Sequence, residues 1–172
     1  LLLGRGRLAM GDAEPALDAF RRFKAAAPAA QRLEGRFWEG EALYRSRRFA
    51  EARTAYDDVM RQDAASPLGP DAAYGLALCD LELRRPEAAV KGFRDFLVAW
   101  PDNSQAGPAT FYLAQTLVDL KRYSDAVPLL TGYATKYPKS RLVPDARYLL
   151  GTARIAAGER DAGMEDLKAF VA

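Results

Sequence analysis

Hydrophobic and polar positions repeat along this chain with a period close to 37 residues. Small residues recur with gaps of 36, 37, 37 and 37 at Ala16, Ala52, Ala89, Ala126 and Gly163. A large apolar residue follows each after four positions, at Phe20, Tyr56, Phe93, Leu130 and Leu167. Aromatic residues recur with the same step at Phe37, Tyr74, Phe111 and Tyr148. Self-similarity with a period of about 20–50 residues is typical of a solenoid, in which each repeat contacts its neighbours.

Each repeat is predicted to contain two amphipathic helices joined by a tight turn. In the third repeat, Ala89, Phe93 and Phe96 recur at i, i+4 and i+7, which places them on one helical face. Pro86 suits the first position of that helix, and Pro101 ends it because the preceding residue cannot stay helical. The predicted helices are residues 1–10, 13–26, 32–45, 49–62, 71–83, 86–100, 111–120, 123–137, 143–157 and 160–172. No segment alternates long enough to form a sheet, so the predicted fold class is all-α.

The small residue of each second helix indicates a close crossing of the two helices in a hairpin. A longer side chain would force the helices apart, and the large residue four positions on fills the groove beside the crossing. The first helices have a small site of their own, at Gly4, Gly40, Ala77, Ala114 and Gly151. Glu39 stands where the other first helices have leucine before this site. The ladder of aromatic residues is interpreted as core between repeats.

The residue types that are absent from the chain exclude several kinds of active site. Its 172 residues include no histidine and one cysteine, and the net charge is +2. Histidine-based zinc sites, Ser-His and Cys-His nucleophile pairs and an internal disulfide are therefore excluded. Neighbouring acids such as Asp57 and Asp58 point about 100° apart on a helix and do not face each other. We expect no enzymatic activity, cofactor, metal, membrane span or nucleic-acid partner, and a core position for Cys79.

The repeated residues resemble the tetratricopeptide repeat family. The resemblance is carried by Leu-Gly or Leu-Ala in the first helix, Ala-x-x-x-Phe in the second and a closing proline such as Pro101. It implies a single array that forms a right-handed superhelical solenoid of ten antiparallel helices. The expected units are approximately residues 1–28, 31–64, 70–101, 106–138 and 143–172. Two departures are Gly163 in place of alanine and Ala64 in place of the closing proline.

The inter-repeat segments carry a narrower resemblance. The step of 37 is about three residues longer than the usual repeat of this family, and the extra residues fall between units. The phrase from Tyr137-Pro138 to Leu150-Gly151 is similar to bacterial cell-envelope members, namely the lipoprotein of outer-membrane β-barrel assembly and the Tol-associated division coordinator. That similarity implies a scaffold in the bacterial periplasm or envelope, with the cytoplasm as the alternative.

The resemblance also implies a function and a site. In this family the first helices line a concave face, so we expect a protein–protein interaction scaffold that binds a peptide or helix of a partner. The implied groove residues are Tyr44, Leu78, Leu81, Glu82, Gln115, Val118, Asp119 and Ile155. Acids at two of these positions disfavour a clamp for a partner's terminal carboxylate. For Leu81, Val118 and Ile155 the alternative is packing against the next repeat.

Paired cations occupy the same turn in three consecutive hairpins. If the repeats stack in one register, these six side chains form a basic edge that attracts anionic lipids or an acidic partner. The basic edge comprises Arg47, Arg48, Arg84, Arg85, Lys121 and Arg122. The alternative is that hairpin turns are simply solvated, with Glu51 and Glu87 diluting the positive field.

Two alternatives to a binding module remain open at the level of sequence. The array could serve as a structural spacer or as a regulatory domain of a larger enzyme or signalling protein. The chain lacks an initiator methionine, and its last helix carries Met164, Leu167, Phe170 and Val171 on one face. Because a repeat array needs polar ends, we expect either a fragment of a longer chain or self-association through uncapped ends.

Overall fold

The chain folds entirely into α-helices joined by short connections. The structure, a computed structural model, describes residues 1–171; Ala172 and the side chains of Ala30 and Val171 lie outside the described residues. Within that range there is no strand, which confirms the all-α prediction. None of the helices in residues 1–171 combines the length and apolarity that crossing a bilayer requires. The helices are α1 (Leu2–Ala9), α2 (Ala13–Ala26), α3 (Ala29–Arg45), α4 (Phe49–Asp63), α5 (Gly69–Glu82), α6 (Pro86–Ala99), α7 (Ala106–Asp119), α8 (Tyr123–Thr131), α9 (Tyr133–Lys136), α10 (Val143–Ala156) and α11 (Arg160–Val171).

The contacts between residues divide the chain into two compact units. The first unit is Leu1–Gly92, and the second begins at Phe93, inside α6. In the first unit α1 packs on α2, α2 on α3, α3 on α4, and α4 on α5. In the second unit α7 packs on α8, α8 on α10, and α10 on α11. Each helix therefore packs mainly on its neighbours along the chain, as helical-hairpin repeats require.

The small and large residues of the repeat form the cores of both units. Ala16, Ala52, Ala89 and Ala126 are fully buried, and so are the large residues that follow them, such as Phe20 and Phe93. Tyr56 of α4 shows how the pieces fit. Its ring lies against Gly40 of α3 and Gly75 of α5, where added Cβ atoms would come within 3.0 and 2.8 Å of ring carbons. The glycines therefore leave the space that this buried ring occupies.

Gly163, which departs from the alanine pattern, has a clear packing reason. A Cβ atom built on Gly163 would lie 2.6 Å from the carbonyl oxygen of Gly151 and 2.9 Å from the backbone nitrogen of Ile155. The backbones of α10 and α11 therefore touch at this point without an intervening side chain. Alanine does not fit there unless the two helices separate.

The aromatic ladder divides between core and surface. Phe37 and Phe111 are buried, whereas Tyr148 is 53% exposed. For Tyr148 the prediction of a core position is therefore wrong. Its ring centroid lies 5.8 Å from that of Phe170, which is itself partly exposed, so this pair packs at the surface of α10 and α11. Helical periodicity identifies the face on which a residue lies, but not whether another element covers that face.

The eighth predicted helix, residues 123–137, is interrupted. Helix α8 ends at Thr131, and α9 begins at Tyr133, with Gly132 between them. Pro128 lies inside α8 and offers no backbone N–H for the helical ladder. Glycine is also a poor helix former because its unfolded backbone is unusually free. Pro128 and Gly132 lie about one helical turn apart, and together they account for the break.

Five hairpin turns share one backbone conformation at equivalent positions of the repeat. Gly11 and Gly158 have φ values of 89° and 94°, and Arg47, Arg84 and Lys121 have values of 60°, 57° and 59°. One residue later, the backbone N–H donates to a carbonyl five residues back, at 2.8 to 3.0 Å, in Asp12–Arg7, Arg48–Leu43, Arg85–Asp80, Arg122–Leu117 and Glu159–Arg154. This Schellman arrangement caps each first helix. Glycine adopts left-handed φ without strain, whereas arginine and lysine do so at a cost.

Candidate functional site

The predicted groove residues of the first unit lie on an accessible stripe of α3 and α5. Tyr44 on α3 is half-buried, and its ring packs edge-on against Phe49 at a centroid distance of 5.3 Å. On α5, Leu78 and Leu81 are half-buried and Glu82 is exposed. Residues separated by three and four positions share one side of a helix. This stripe therefore presents apolar surface with an acid beside it.

The second unit repeats this arrangement on α7 and α10. Val118 and Ile155 are half-buried, and Gln115 and Asp119 are exposed. Ile155 also packs towards α11, since its Cγ1 lies 2.7 Å from the position of a Cβ added at Gly163. Ile155 thus contributes to the α10–α11 hairpin as well as to the stripe.

The corresponding position of the first repeat does not belong to an accessible surface. Leu8 occupies the place of Tyr44 one repeat earlier, but it is only 2% exposed. Its backbone carbonyl accepts a hydrogen bond of 2.9 Å from the guanidinium of Arg45. Leu8 therefore belongs to the buried core of the first unit and offers no surface to a ligand.

A half-buried acid, Glu41, lies beside the stripe in the first unit. The Tyr56 hydroxyl donates to Glu41 at 2.6 Å. Burial raises the pKa of Glu41, and the nearby Asp71 adds to the rise, while the Tyr56 hydrogen bond and the charge of Arg45 oppose it. Burial likewise raises the pKa of Asp71. This part of the stripe is therefore poorly solvated and sensitive to added charge.

The six cations of the basic edge lie at hairpin turns, and half of them are paired with acids. Arg48 meets Glu51 at 2.7 Å, and Arg122 meets Asp125 at 2.7 Å. Arg85 lies 3.9 Å from the buried carboxylate of Asp80. The residues that precede them, Arg47, Arg84 and Lys121, are the ones with left-handed φ. The turns therefore have a structural role of their own, and their positive field is weaker than six unpaired cations would produce.

Sequence reasoning missed a charge network at Glu39. The Glu39 carboxylate is nearly buried and is held by Lys24 at 2.6 Å, Arg36 at 2.9 Å and Arg21 at 3.1 Å. Burial alone would raise the pKa of Glu39, but hydrogen bonds from these three cations lower it below its ordinary value. Arg36 also donates to Asp58 at 2.8 Å, which links α3 to α4. The departure of Glu39 from the leucine pattern was the available signal.

Two acids that have an acidic neighbour in the sequence form ion pairs within their own helical hairpins or helices. Asp57 pairs with Arg61 at 2.8 Å, and Asp166 pairs with Arg154 at 2.7 Å. Across residues 1–171 no cluster of histidine, cysteine and acidic side chains has a metal-binding arrangement. Cys79 is fully buried, as predicted, and burial raises the pKa of its thiol to about 12. A thiol with such a pKa stays protonated and is a poor nucleophile.

The family model described as tetratricopeptide repeat matches residues 39–104 and 81–141, which together cover more than half of the chain. The chain belongs to the tetratricopeptide repeat family. Among curated protein sequences, none matches this chain significantly. The family assignment agrees with the hairpins, the small sites and the capped turns described above. The narrower similarity to cell-envelope members is not supported by these matches.

Solved structures of other tetratricopeptide repeat proteins have the same fold. MamA from Desulfovibrio magneticus RS-1 superposes with a TM-score of 0.82 at 15% identity, covering 98% of this chain and 89% of that one. YrrB, described as a tetratricopeptide repeat protein with an unusual peptide-binding site, gives 0.77 at 16% identity, with 98% and 81% covered. Kinesin light chain repeats of Podosopora anserina give 0.78 at 16% identity, with 98% and 89% covered. At such identities the likeness establishes the fold alone.

Proposed function

We propose that this tetratricopeptide repeat protein is a non-catalytic scaffold that holds a peptide or helical segment of a partner protein against its first helices. The observation that carries the proposal is that each unit presents accessible residues of the same kind on its first helices. Leu81 and Val118 are half-buried apolar residues at equivalent positions, and an exposed acid, Glu82 or Asp119, follows each of them. A surface with apolar anchors and regularly placed charges is suited to an extended or helical ligand.

The charges indicate what kind of ligand would fit. Glu82 and Asp119 are exposed, and neither has an ion pair within the part of the chain that the structure describes. A partner segment with apolar side chains at intervals and lysine or arginine between them would complement both features. An acidic segment would be repelled from the same stripe. YrrB, which has the same fold, is described as having a peptide-binding site, and this supports peptide binding as a function of the fold.

Site-specific photo-crosslinking tests this function. A photoreactive phenylalanine analogue is placed at Glu82 or Asp119, and a matched control carries it at Glu165, an exposed acid of α11. We expect a partner crosslinked in the source cells from the first two positions and absent from the control. Mass spectrometry then identifies the partner and the crosslinked segment.

Charge reversal gives an independent measure of the same surface. Combining Glu82→Lys with Asp119→Lys should abolish capture of the crosslinked segment, because both residues are exposed and their replacement leaves the core intact. Asp161→Lys with Glu165→Lys changes the charge equally on α11 and should leave capture unchanged. Equal crosslinking from all positions, or capture that survives reversal of the groove acids, would contradict the proposal and favour a structural spacer.

We further propose, from the pattern of the phrase between Tyr137 and Gly151, that the scaffold is periplasmic or envelope-associated in bacteria, with the cytoplasm as the alternative. Fractionation of source cells, with antibodies against this chain, tests that suggestion. Recovery in the cytoplasmic fraction alone would contradict it without affecting the groove.

A further inference from the structure

Three connections between hairpins form the same hydrogen-bonded turn at the 37-residue step. The backbone N–H of Asn103 donates to the Trp100 carbonyl at 3.2 Å, and that of Ser140 donates to the Tyr137 carbonyl at 2.9 Å. Ser66 and Asp63 repeat the bond at 3.2 Å in the first unit. These connections contain the extra residues that lengthen the repeat. The added length therefore builds ordered loops.

In the second unit two successive connections line an open pocket of about 750 Å³. We call it the loop pocket; it lies between the loop from Pro101 to Ser104 and the loop from Tyr137 to Leu142. Three proline rings, of Pro101, Pro108 and Pro138, and the ring of Tyr137 line it. Binding sites for small ligands and side chains range from about 300 to 1,000 Å³ and are mostly apolar. The loop pocket has the size and wall chemistry of such a site.

The walls of the loop pocket are held by hydrogen bonds beneath them. The Tyr133 hydroxyl lies 3.2 Å from the Gly107 carbonyl oxygen and 3.0 Å from the Ser140 hydroxyl. The Tyr137 hydroxyl lies 3.2 Å from the Thr110 hydroxyl. A ligand would therefore meet a preformed cavity, and less conformational entropy would be lost on binding.

The rim of the loop pocket is positively charged. Lys136, Lys139 and Arg141 contribute three cations against one acid, Asp102, which gives a net charge of +2. Lys139 and Arg141 are exposed and have no ion pair among residues 1–171, unlike Arg48 and the other paired arginines described above. The Lys136 ammonium lies 5.3 Å from the centre of the Tyr137 ring. A cationic rim thus surrounds apolar walls.

We propose that the loop pocket binds an acidic peptide segment of a partner protein through an apolar side chain. The proline or aromatic side chain of the segment packs against Tyr137 and the three prolines, and flanking glutamate or aspartate residues pair with Lys139 and Arg141. This site goes beyond the groove on the first helices. It lies at the connections that precede α7 and α10 and at the first residues of α7, in the second unit alone. It also selects the opposite charge, because the groove acids repel an acidic segment.

Fluorescence anisotropy with three synthetic peptides tests the proposal. Each fluorescein-labelled peptide has a central Phe-Pro pair, flanked on both sides by three glutamates, three serines or three lysines. We expect the glutamate peptide to bind at least tenfold more tightly than the serine peptide and the lysine peptide to show no binding to the loop pocket. Because exposed charges are screened by salt, its affinity should fall severalfold when the salt concentration rises tenfold.

Two pairs of variants locate the binding. Ser104→Trp fills the loop pocket from an exposed loop position, whereas Ser124→Trp places the same side chain on the exposed surface of α8. Lys139→Glu with Arg141→Glu reverses the rim, whereas Arg147→Glu with Arg160→Glu reverses two exposed cations elsewhere in the second unit. We expect the first member of each pair to weaken binding of the glutamate peptide at least tenfold and its control less than twofold. Circular dichroism verifies that each variant is folded.

Several results would overturn the proposal. One is equal binding of the glutamate and serine peptides; another is equal loss of binding in a variant and its control. Displacement of the glutamate peptide by millimolar inorganic phosphate, with no dependence on its Phe-Pro pair, would assign the rim to simple anions instead. Binding that neither loop-pocket variant weakens, but that Glu82→Lys combined with Asp119→Lys strengthens, would place the peptide on the first helices, because the new lysines would attract it there. None of these results depends on whether the groove holds its own partner, so the two proposals fail separately.

Discussion

Replacing Lys121 by glycine is expected to stabilise the protein, although it removes a charge and a complete side chain. Lys121 has φ of 59° in the turn between α7 and α8, at the position that glycine occupies in the first and last turns. A Cβ atom in this conformation crowds the following carbonyl oxygen. Glycine has no such atom and closes the same Schellman cap.

The magnitude follows from two opposing effects. An L-residue in the left-handed region costs about 1–2 kcal/mol, and glycine avoids this cost. Glycine loses more backbone entropy on folding, which offsets about 0.5–1 kcal/mol of the gain. The net stabilisation is therefore roughly 0.5–1 kcal/mol. For a domain of this size it corresponds to a rise in Tm of about 1–4 °C.

Arg122→Gly is the matched control for this change. Arg122 is the next residue and also a cation, but its φ is −91°, which any residue adopts. Glycine there gains nothing from conformation, incurs the same entropy cost, and breaks the pairing of Arg122 with Asp125 at 2.7 Å. We expect Arg122→Gly to lower Tm. Gly158→Ala, which puts a Cβ atom at φ of 94° in the last turn, should also lower it.

Thermal and urea unfolding, followed by circular dichroism at the helical band, measure all three variants. The urea m-value should stay constant, since none of the changes alters the buried surface. Opposite signs for Lys121→Gly and Arg122→Gly are the expected result. If both variants lose stability to a similar extent, left-handed strain does not govern these turns and the reasoning is refuted.

Three further predictions concern packing and buried charge. Gly163→Ala should destabilise the protein by about 1–3 kcal/mol through overpacking of the α10–α11 contact, whereas Gly132→Ala, with open space around it, should not, as urea unfolding will reveal. Glu39→Gln should lower the free energy of unfolding by about 2–3 kcal/mol at neutral pH. This loss is smaller than for breaking a fully buried ion pair, because the cationic partners of Glu39 are partly exposed. The folded pKa of Glu39 is lowered, so its stabilising contribution should be present above pH 4.5 and lost as the pH falls through that folded pKa. Glu41 should show the opposite pH dependence. Its folded pKa is raised, so the stability of the wild-type protein should fall as the pH rises from 4.5 through that folded pKa. The Glu41→Gln variant should not show this fall. A wild-type-like pH profile of unfolding in either glutamine variant would contradict the assigned environment.

The repeated hairpins were predictable because their cause is local. Small and large residues at fixed spacings determine which faces pack, and the buried Ala52 and Phe93 follow that rule. The left-handed turns were also within reach. Gly11 and Gly158 stand at the same step as Arg47, Arg84 and Lys121, so the repeat itself indicates that these cations adopt a conformation suited to glycine.

The remaining features depend on contacts between helices that periodicity does not describe. Glu39 and Glu41 are two residues apart on α3, yet cations hold one and a tyrosine hydroxyl holds the other. The sequence spacing of 15 residues in both pairs gives no hint of this difference. The loop pocket likewise arises from two connections brought side by side. Tyr148 was assigned to the core for the same reason, since its coverage depends on α11.

The position of Tyr56 restricts how repeats of this protein can be exchanged in evolution or by recombination. Its ring occupies space left by Gly40 in its own hairpin and by Gly75 in the following one. A hairpin copied from elsewhere in the chain, with a larger residue at either place, would collide with that ring. This tyrosine must therefore be inherited together with one glycine 16 residues before it and another 19 residues after it. The unit that can be duplicated intact is longer than a single repeat.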